Sequence, residues 1–150
     1  LEAQQACGTT HSHQMSIVFT ERDMHAMKTP FIAQEYINHN STVFKVFVIG
    51  PNSINVVRRT SLPNYGNQIV PVHFNSQGLN HNIDDDNPSF EPAPPMDAVV
   101  QPITVQLAQR SGLTVFGFDL IRNAKTGAYA IIDINYFPSF SGLTDFPLRF

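Results

Sequence analysis

The chain has 150 residues, 42% of them hydrophobic, with 12 Phe, no Trp, one Cys and a formal net charge of −3. That length suits one domain with a real core, or a piece of something larger, and the charge offers no general attraction for nucleic acid or anionic lipid. One cysteine, Cys7, excludes an internal disulfide framework and fits a reducing, cytoplasmic setting. No apolar run approaches the roughly 20 residues of a membrane span. The stretch "MSIVFT" (Met15–Thr20) reads as a short strand. Thr20 then serves as an N-cap, Asp23 occupies the capping-box position, and Met24 and Met27 stand three apart, so a short helix follows. "FIAQEYI" (Phe31–Ile37) is a second strand. "TVFKVFVIG" (Thr42–Gly50) is a third, stopped by Gly50-Pro51-Asn52 and returned by "SINVVRRTSL", so residues 42–60 read as a β-hairpin.

Residues 75–97 are polar, Pro-rich and poorly periodic, and are read as a long surface loop whose Asp84–Asp86 run is a solvated acidic stretch rather than a cation site. Val99, Val100, Ile103 and Leu107 then stand at helical spacing, with Gly112 placed as the stop. Pro102 weakens or bends that helix unless it lies in the first turn. "TVFGFDLI" (Thr114–Ile121) and "YAIIDINYF" (Tyr129–Phe137) are the last two strands, joined by a turn at Lys125-Thr126-Gly127. Strands outnumber helices and hairpins outnumber βαβ units, which predicts an α+β fold with an antiparallel β-sheet and packed helices.

Asp133 and Asn135 lie inside a run, Ala130–Phe137, apolar enough for a buried strand. Strict alternation sends both to one face and Ile132 and Ile134 to the other, and an ionised carboxylate in such a strand needs a partner. A hairpin centred near Lys125 and Thr126 puts Asp119 opposite roughly 131–133, with a parity that lets Asp119, Asp133 and Asn135 share a face. Three oxygen donors without His or Cys suit Mg²⁺ or Mn²⁺ rather than zinc, with substrate phosphates completing the shell. On the D-x-N spacing alone, a carboxylate bonded to loop backbone or paired with Arg122 or Arg149 fits as well; adding Asp119 favours the metal. Lys45 breaks an apolar strand and shares parity with Val43, Phe47 and Ile49, where a snorkelling lysine is the ordinary reading. Arg58 and Arg59 are adjacent and face opposite ways, so only one of them can enter a pocket. His11-x-His13 without a third ligand is weak evidence for a transition metal, and Cys7 has no visible catalytic partner. His39 reads as a loop or strand-end residue making hydrogen bonds.

"GFDLI" followed by "AIIDINYFPSF" resembles the inositol-tetrakisphosphate 1-kinase (inositol 1,3,4-trisphosphate 5/6-kinase) family, which has the ATP-grasp fold. The likeness extends through "CGTTHSHQMSIVF", "IAQEYINHNSTVFKVFVIG" and "VVRRTSLPNY" in order, covering nearly the whole chain except the 75–97 loop. The resemblance implies ATP as co-substrate, held between two α+β lobes, and an inositol polyphosphate as acceptor. It implies Mg²⁺, as two ions, on Asp119, Asp133 and Asn135. By the same resemblance Gln34, Glu35, Tyr36 and Ile37 form the inter-lobe segment against which adenine packs, and Arg59 and Ser61 line the nucleotide pocket. Lys45 and His13 contact the inositol phosphate and are the catalytic candidates that orient the acceptor. Ser139 stands on the substrate side, where the family carries a glycine.

The expected domain content is therefore the C-terminal ATP-grasp portion, without the N-terminal domain and first ATP-binding lobe, in a parent protein that is a cytoplasmic monomer with no nucleic-acid or membrane partner. The expected reaction is Mg²⁺-dependent phosphoryl transfer from ATP to an inositol polyphosphate hydroxyl. With only nine Lys and Arg, an isolated nucleotide- or metabolite-binding unit without activity is the alternative, and another ATP-grasp ligase is a third reading.

Overall fold

The computed structural model describes residues 2–3, 13–27, 30–50, 53–76 and 97–139. In chain order the elements are β1 (Glu2–Ala3), β2 (Gln14–Ile17), α1 (Glu21–His25), β3 (Phe31–Ile32), β4 (Thr42–Ile49), β5 (Ile54–Thr60), β6 (Val72–Asn75), α2 (Asp97–Ser111), β7 (Val115–Arg122) and β8 (Tyr129–Asn135). They form two four-stranded antiparallel sheets, one ordered β3-β1-β2-β6 and the other β5-β4-β7-β8. The α+β expectation with antiparallel pairing holds.

The second sheet carries the core. β4 is central, and its alternating Phe44, Val46 and Val48 meet Phe116, Phe118 and Leu120 of β7 on one face, all of them buried. Val100 of α2 completes this cluster, with Val99, Ile103 and Leu107 packed against it, so the helical spacing in the sequence marks the face that covers the sheet. Full burial of side chains of this size contributes roughly 1.5–3 kcal/mol each. Gly112, at φ +72°, ends α2, its N–H donating to the Ala108 carbonyl at 2.8 Å. Pro102 is the sixth residue of α2, not a first-turn residue, so the carbonyl one turn before it lacks a helical donor.

The capping box at α1 forms as expected: the Thr20 hydroxyl accepts from Asp23 N–H at 3.3 Å, and Asp23 Oδ2 accepts from Thr20 N–H at 3.1 Å. Three expectations change. The strand expected over Phe31–Ile37 stops at Ile32, and Gln34–Ile37 run on as a connecting segment. β6 goes unforeseen, although Val72 and Phe74 alternate with His73 and Asn75 and pair with β2 in register. β8 is not a buried strand: among the described residues it is an edge strand, with Ile131, Ile132 and Ile134 39%, 39% and 51% exposed. Asn75 and Asp97, the ends of the expected loop, close β6 and open α2, while 77–96 lie outside the described residues.

Candidate active site

The face of the second sheet turned away from α2 collects the polar residues. Register places Val57, Lys45, Asp119 and Asp133 side by side across β5, β4, β7 and β8, and Asn55, Phe47, Gly117 and Asn135 side by side in the neighbouring row. Lys45 Nζ donates to Asp119 Oδ2 at 2.8 Å, with the two side chains 31% and 16% exposed. Lys45 is thus the cation of a partly shielded ion pair in the middle of an apolar strand. Asn135 Nδ2 donates to Asp133 Oδ2 at 2.7 Å, which orients that carboxylate.

The alternation expected in β8 fails at one position. Asp119 pairs with Asp133 but Leu120 pairs with Ile131, so Ile132 is an extra residue at a β-bulge. The bulge turns Ile132 toward the same side as Ile121, where both line a cavity. Past β8 the chain folds over Gly117. A Cβ there would stand 3.1 Å from both Pro138 Cβ and the Val46 carbonyl oxygen, so only glycine lets Pro138 lie this close. The resulting polar cavity of about 290 Å³ has Lys45, Asp119, Asn135 and Ser139 in its wall.

A second cavity, of about 320 Å³, lies between the sheets. Met15 and Phe74 come from one sheet, Ile121 and Ile132 from the other, and Gln34–Ile37 and Ser61 from the connecting segments. These segments are stapled by side chains. The Tyr36 hydroxyl donates to the Pro63 carbonyl at 2.9 Å, and Asn38 clamps the Tyr65 backbone, donating to its carbonyl at 2.6 Å and accepting from its N–H at 2.8 Å. Asn64 Oδ1 accepts from Asn40 N–H at 2.8 Å while its Nδ2 donates to Asn40 Oδ1 at 2.7 Å. His39, 5% exposed, contacts the Ile37 carbonyl through Nδ1 at 2.7 Å and the Ser61 hydroxyl through Nε2 at 3.0 Å. Asn40 and Ser41 have φ of +53° and +54°, and Thr42 N–H closes the turn on the His39 carbonyl at 3.2 Å. Two consecutive non-glycine residues in the left-handed region are costly, and the staple is what holds them there. Burial, with Tyr65 nearby, raises the Tyr36 phenol above its ordinary range, so it stays a donor.

The structure therefore brings Lys45, Asp119, Asn135 and Ser139 to one cavity, with Asp133 beside Asp119, and Gln34, Glu35, Tyr36, Ile37 and Ser61 to the other. His13 joins neither: its carbonyl accepts from Ser76 N–H at 2.9 Å and its ring lies 3.4 Å from the Ser76 hydroxyl. Arg59, not Arg58, shares the face of Lys45, since it pairs with Val43; it is buried and lines neither cavity. Cys7, His11, Asp84–Asp86 and Arg149 lie outside the described residues. Missing from the sequence reading were the wall residues Ile121 and Ile132 and the partners in "SLPNY". The reading of His39 as a hydrogen-bonding loop or strand-end residue holds, but its partners and those of Asn38 and Asn40 were not foreseen.

Among the described residues no three His, Cys, Asp or Glu side chains group as metal ligands; the third donor beside Asp119 and Asp133 is an amide. The donor set still fits a hard divalent cation. Asp119 and Asp133 stand directly opposite each other, where two carboxylates repel. Lys45 is paired with Asp119, and the side-chain donors offered by Asp119, Asp133 and Asn135 are oxygens.

Residues 2–150 match the model of the inositol 1,3,4-trisphosphate 5/6-kinase ATP-grasp domain. The chain is 37% identical over 146 residues to an inositol-tetrakisphosphate 1-kinase of Danio rerio, covering 91% of this chain and 37% of that protein. The Xenopus laevis inositol-tetrakisphosphate 1-kinase is 37% identical over 152 residues, with the same coverage of 91% and 37%. Inositol-tetrakisphosphate 1-kinase 5 of Oryza sativa subsp. japonica is 31% identical over 150 residues, covering 91% of the chain and 44% of the relative. The chain spans well under half the length of these relatives. With two antiparallel sheets, a cavity between them and this match along its length, the chain belongs to the inositol 1,3,4-trisphosphate 5/6-kinase ATP-grasp domain family.

Proposed function

We propose that this chain supplies the metal-holding half of a site that transfers the γ-phosphoryl group of ATP to a hydroxyl of an inositol polyphosphate. The observation that carries the reading is the row Lys45–Asp119–Asp133 with Asn135 beside it, on the face opposite the packed core. Asp119, Asp133 and the Asn135 amide would hold Mg²⁺, which, when bound, offsets phosphate charge. Lys45 has a second use on this reading. Its ammonium, now on Asp119, reaches the polar cavity beside Ser139, where an acceptor phosphate gains a charge-assisted hydrogen bond. The inter-sheet cavity takes the adenine, with its apolar walls stacking the base and the Gln34–Ile37 backbone reading its edge. Catalysis on this arrangement is positioning and charge neutralisation, and no side chain is assigned as a general base. His13 and Arg59 keep substrate- and nucleotide-side roles only as proposals from the family resemblance, because neither lines one of the two cavities.

The test is ADP release from Mg²⁺-ATP with inositol polyphosphates as acceptors, in the wild-type chain and in Asp133→Ala, with amino acids as control acceptors. Inositol-dependent release that disappears in Asp133→Ala supports the reading; release with amino acids instead would move the chain to ligase chemistry. A second reading, nucleotide binding without transfer, is favoured by the low total of nine Lys and Arg in the sequence. It is the outcome if Mg²⁺-ADP binds by calorimetry and no acceptor is phosphorylated.

A further inference from the structure

His39 does more than tie a loop. A carbonyl oxygen can only accept, so the 2.7 Å contact to the Ile37 carbonyl requires a proton on Nδ1. In the neutral ring that leaves Nε2 as an acceptor, and the 3.0 Å contact there requires the Ser61 hydroxyl to point its proton at the histidine. The ring is buried, at 5% exposure, and both its partners, Ile37 and Ser61, belong to the wall of the inter-sheet cavity. A serine hydroxyl is ordinarily an ambivalent group, donor or acceptor as the ligand demands. With the ring neutral its only proton is committed to Nε2, and the hydroxyl has only lone pairs to offer the cavity it lines.

We propose that His39 is a positioning residue that makes Ser61 an obligate hydrogen-bond acceptor, so that the cavity selects a ligand carrying a donor at that point. The inference rests on the nucleotide reading only for the kind of ligand. On that reading the donor is either the exocyclic amine of the base or a sugar hydroxyl, and an analogue lacking it leaves Ser61 unpaired or faces it with a second acceptor. Burying an unpaired or mismatched polar group is what gives such a site its discrimination.

The measurement is calorimetric binding of ADP, IDP and 2′,3′-dideoxy-ADP, each with Mg²⁺, to the wild-type chain and to His39→Gln, His39→Asn and Ser61→Ala. IDP replaces the amine by a carbonyl, and the dideoxy analogue lacks the hydroxyls, so the two arms separate the sources of the donor. The wild type is expected to disfavour one of them by roughly tenfold, the scale of one hydrogen bond. The amide of Gln reaches the place of ring Nε2 and can still accept from Ser61, whereas that of Asn reaches the place of Nδ1 and cannot. His39→Gln therefore keeps the preference, while His39→Asn and Ser61→Ala bring the ratio close to one. Equal loss in both His39 variants, or a wild type indifferent to both analogues, overturns the proposal. If ADP itself does not bind, the nucleotide reading falls, and the ¹⁵N spectrum of His39 in the wild-type chain still decides the inference. A neutral ring protonated at Nδ1, with Nε2 alone shifting in Ser61→Ala, supports it; a ring protonated at Nε2 ends it. That spectrum needs no His39 variant to fold.

Discussion

The two faces of the second sheet are built from the same strands and do opposite work. Along β4, Phe44, Val46 and Val48 turn toward α2 and are buried to within 1% of full enclosure, while Lys45, one residue over, carries an ammonium to Asp119. β7 repeats the division: Phe116, Phe118 and Leu120 one way, Gly117 and Asp119 the other. Alternation with period two keeps packing and chemistry on separate surfaces while fixing their relative positions to one backbone. Substitutions on one face should therefore move stability, and those on the other should move binding or turnover.

The largest break comes from the packed face. Phe118→Ala should cost about 3–5 kcal/mol of unfolding free energy, read by urea denaturation; a loss below about 1 kcal/mol would mean the core does not rest on this cluster. On the other face, Asp119→Asn should lower inositol-dependent ADP release by roughly 10²–10³-fold, the scale of losing one charge-stabilising group in a preorganised site. Its melting temperature should change little, because Lys45 is 31% exposed and can turn to water. Equal damage to fold and turnover would erase the distinction between the faces. Gly117→Ala sits where the two meet: its methyl would crowd Pro138 and the Val46 carbonyl. A cost of about 1–3 kcal/mol, accompanied by weaker binding in the polar cavity, is the expected pair of effects, and a neutral substitution would show that Pro138 moves freely. The smallest effect is sought at Ser41→Gly, which relieves a side chain at φ +54°. Stability should rise by no more than about 1 kcal/mol; a fall would show that the Ser41 side chain holds the turn.

Much of this division was legible in the sequence. That Asp133 and Asn135 share a face was read from alternation, and the α2 stripe from spacing, since both depend on local periodicity. The turn placed Asp119 near them, but regular pairing from it would set Asp119 opposite Ile132, and the bulge is what brings Asp133 into line. The family resemblance supplied the ATP-grasp assignment and the expected chemistry only by likeness of motif, not by physics. What escaped had non-local causes. The bulge at Ile132 depends on how β8 registers against β7, which no single strand encodes. The staple joins residues 36–40 to 61–65, across the whole β4–β5 hairpin, and its Asn and Ser residues look like any loop until their partners are known. β6 is only four residues long and owes its existence to pairing with β2. His13 is the reverse case: the motif suggested a role that its contacts with Ser76 do not display.

The bulge in β8 has a bearing on how this protein behaves in solution. Among the described residues β8 is an outer strand whose isoleucines are partly exposed, and such a strand is a template on which another copy could add itself, backbone to backbone. An extra residue at Ile132 interrupts the ladder spacing a regular incoming strand would need, and Asp133 beside it brings a charge that a second copy of the same strand would repel. The residue that shapes the cavity wall thus also guards the edge. A chain shortened by deleting Ile132 should present a straighter edge and self-associate more readily as its concentration rises.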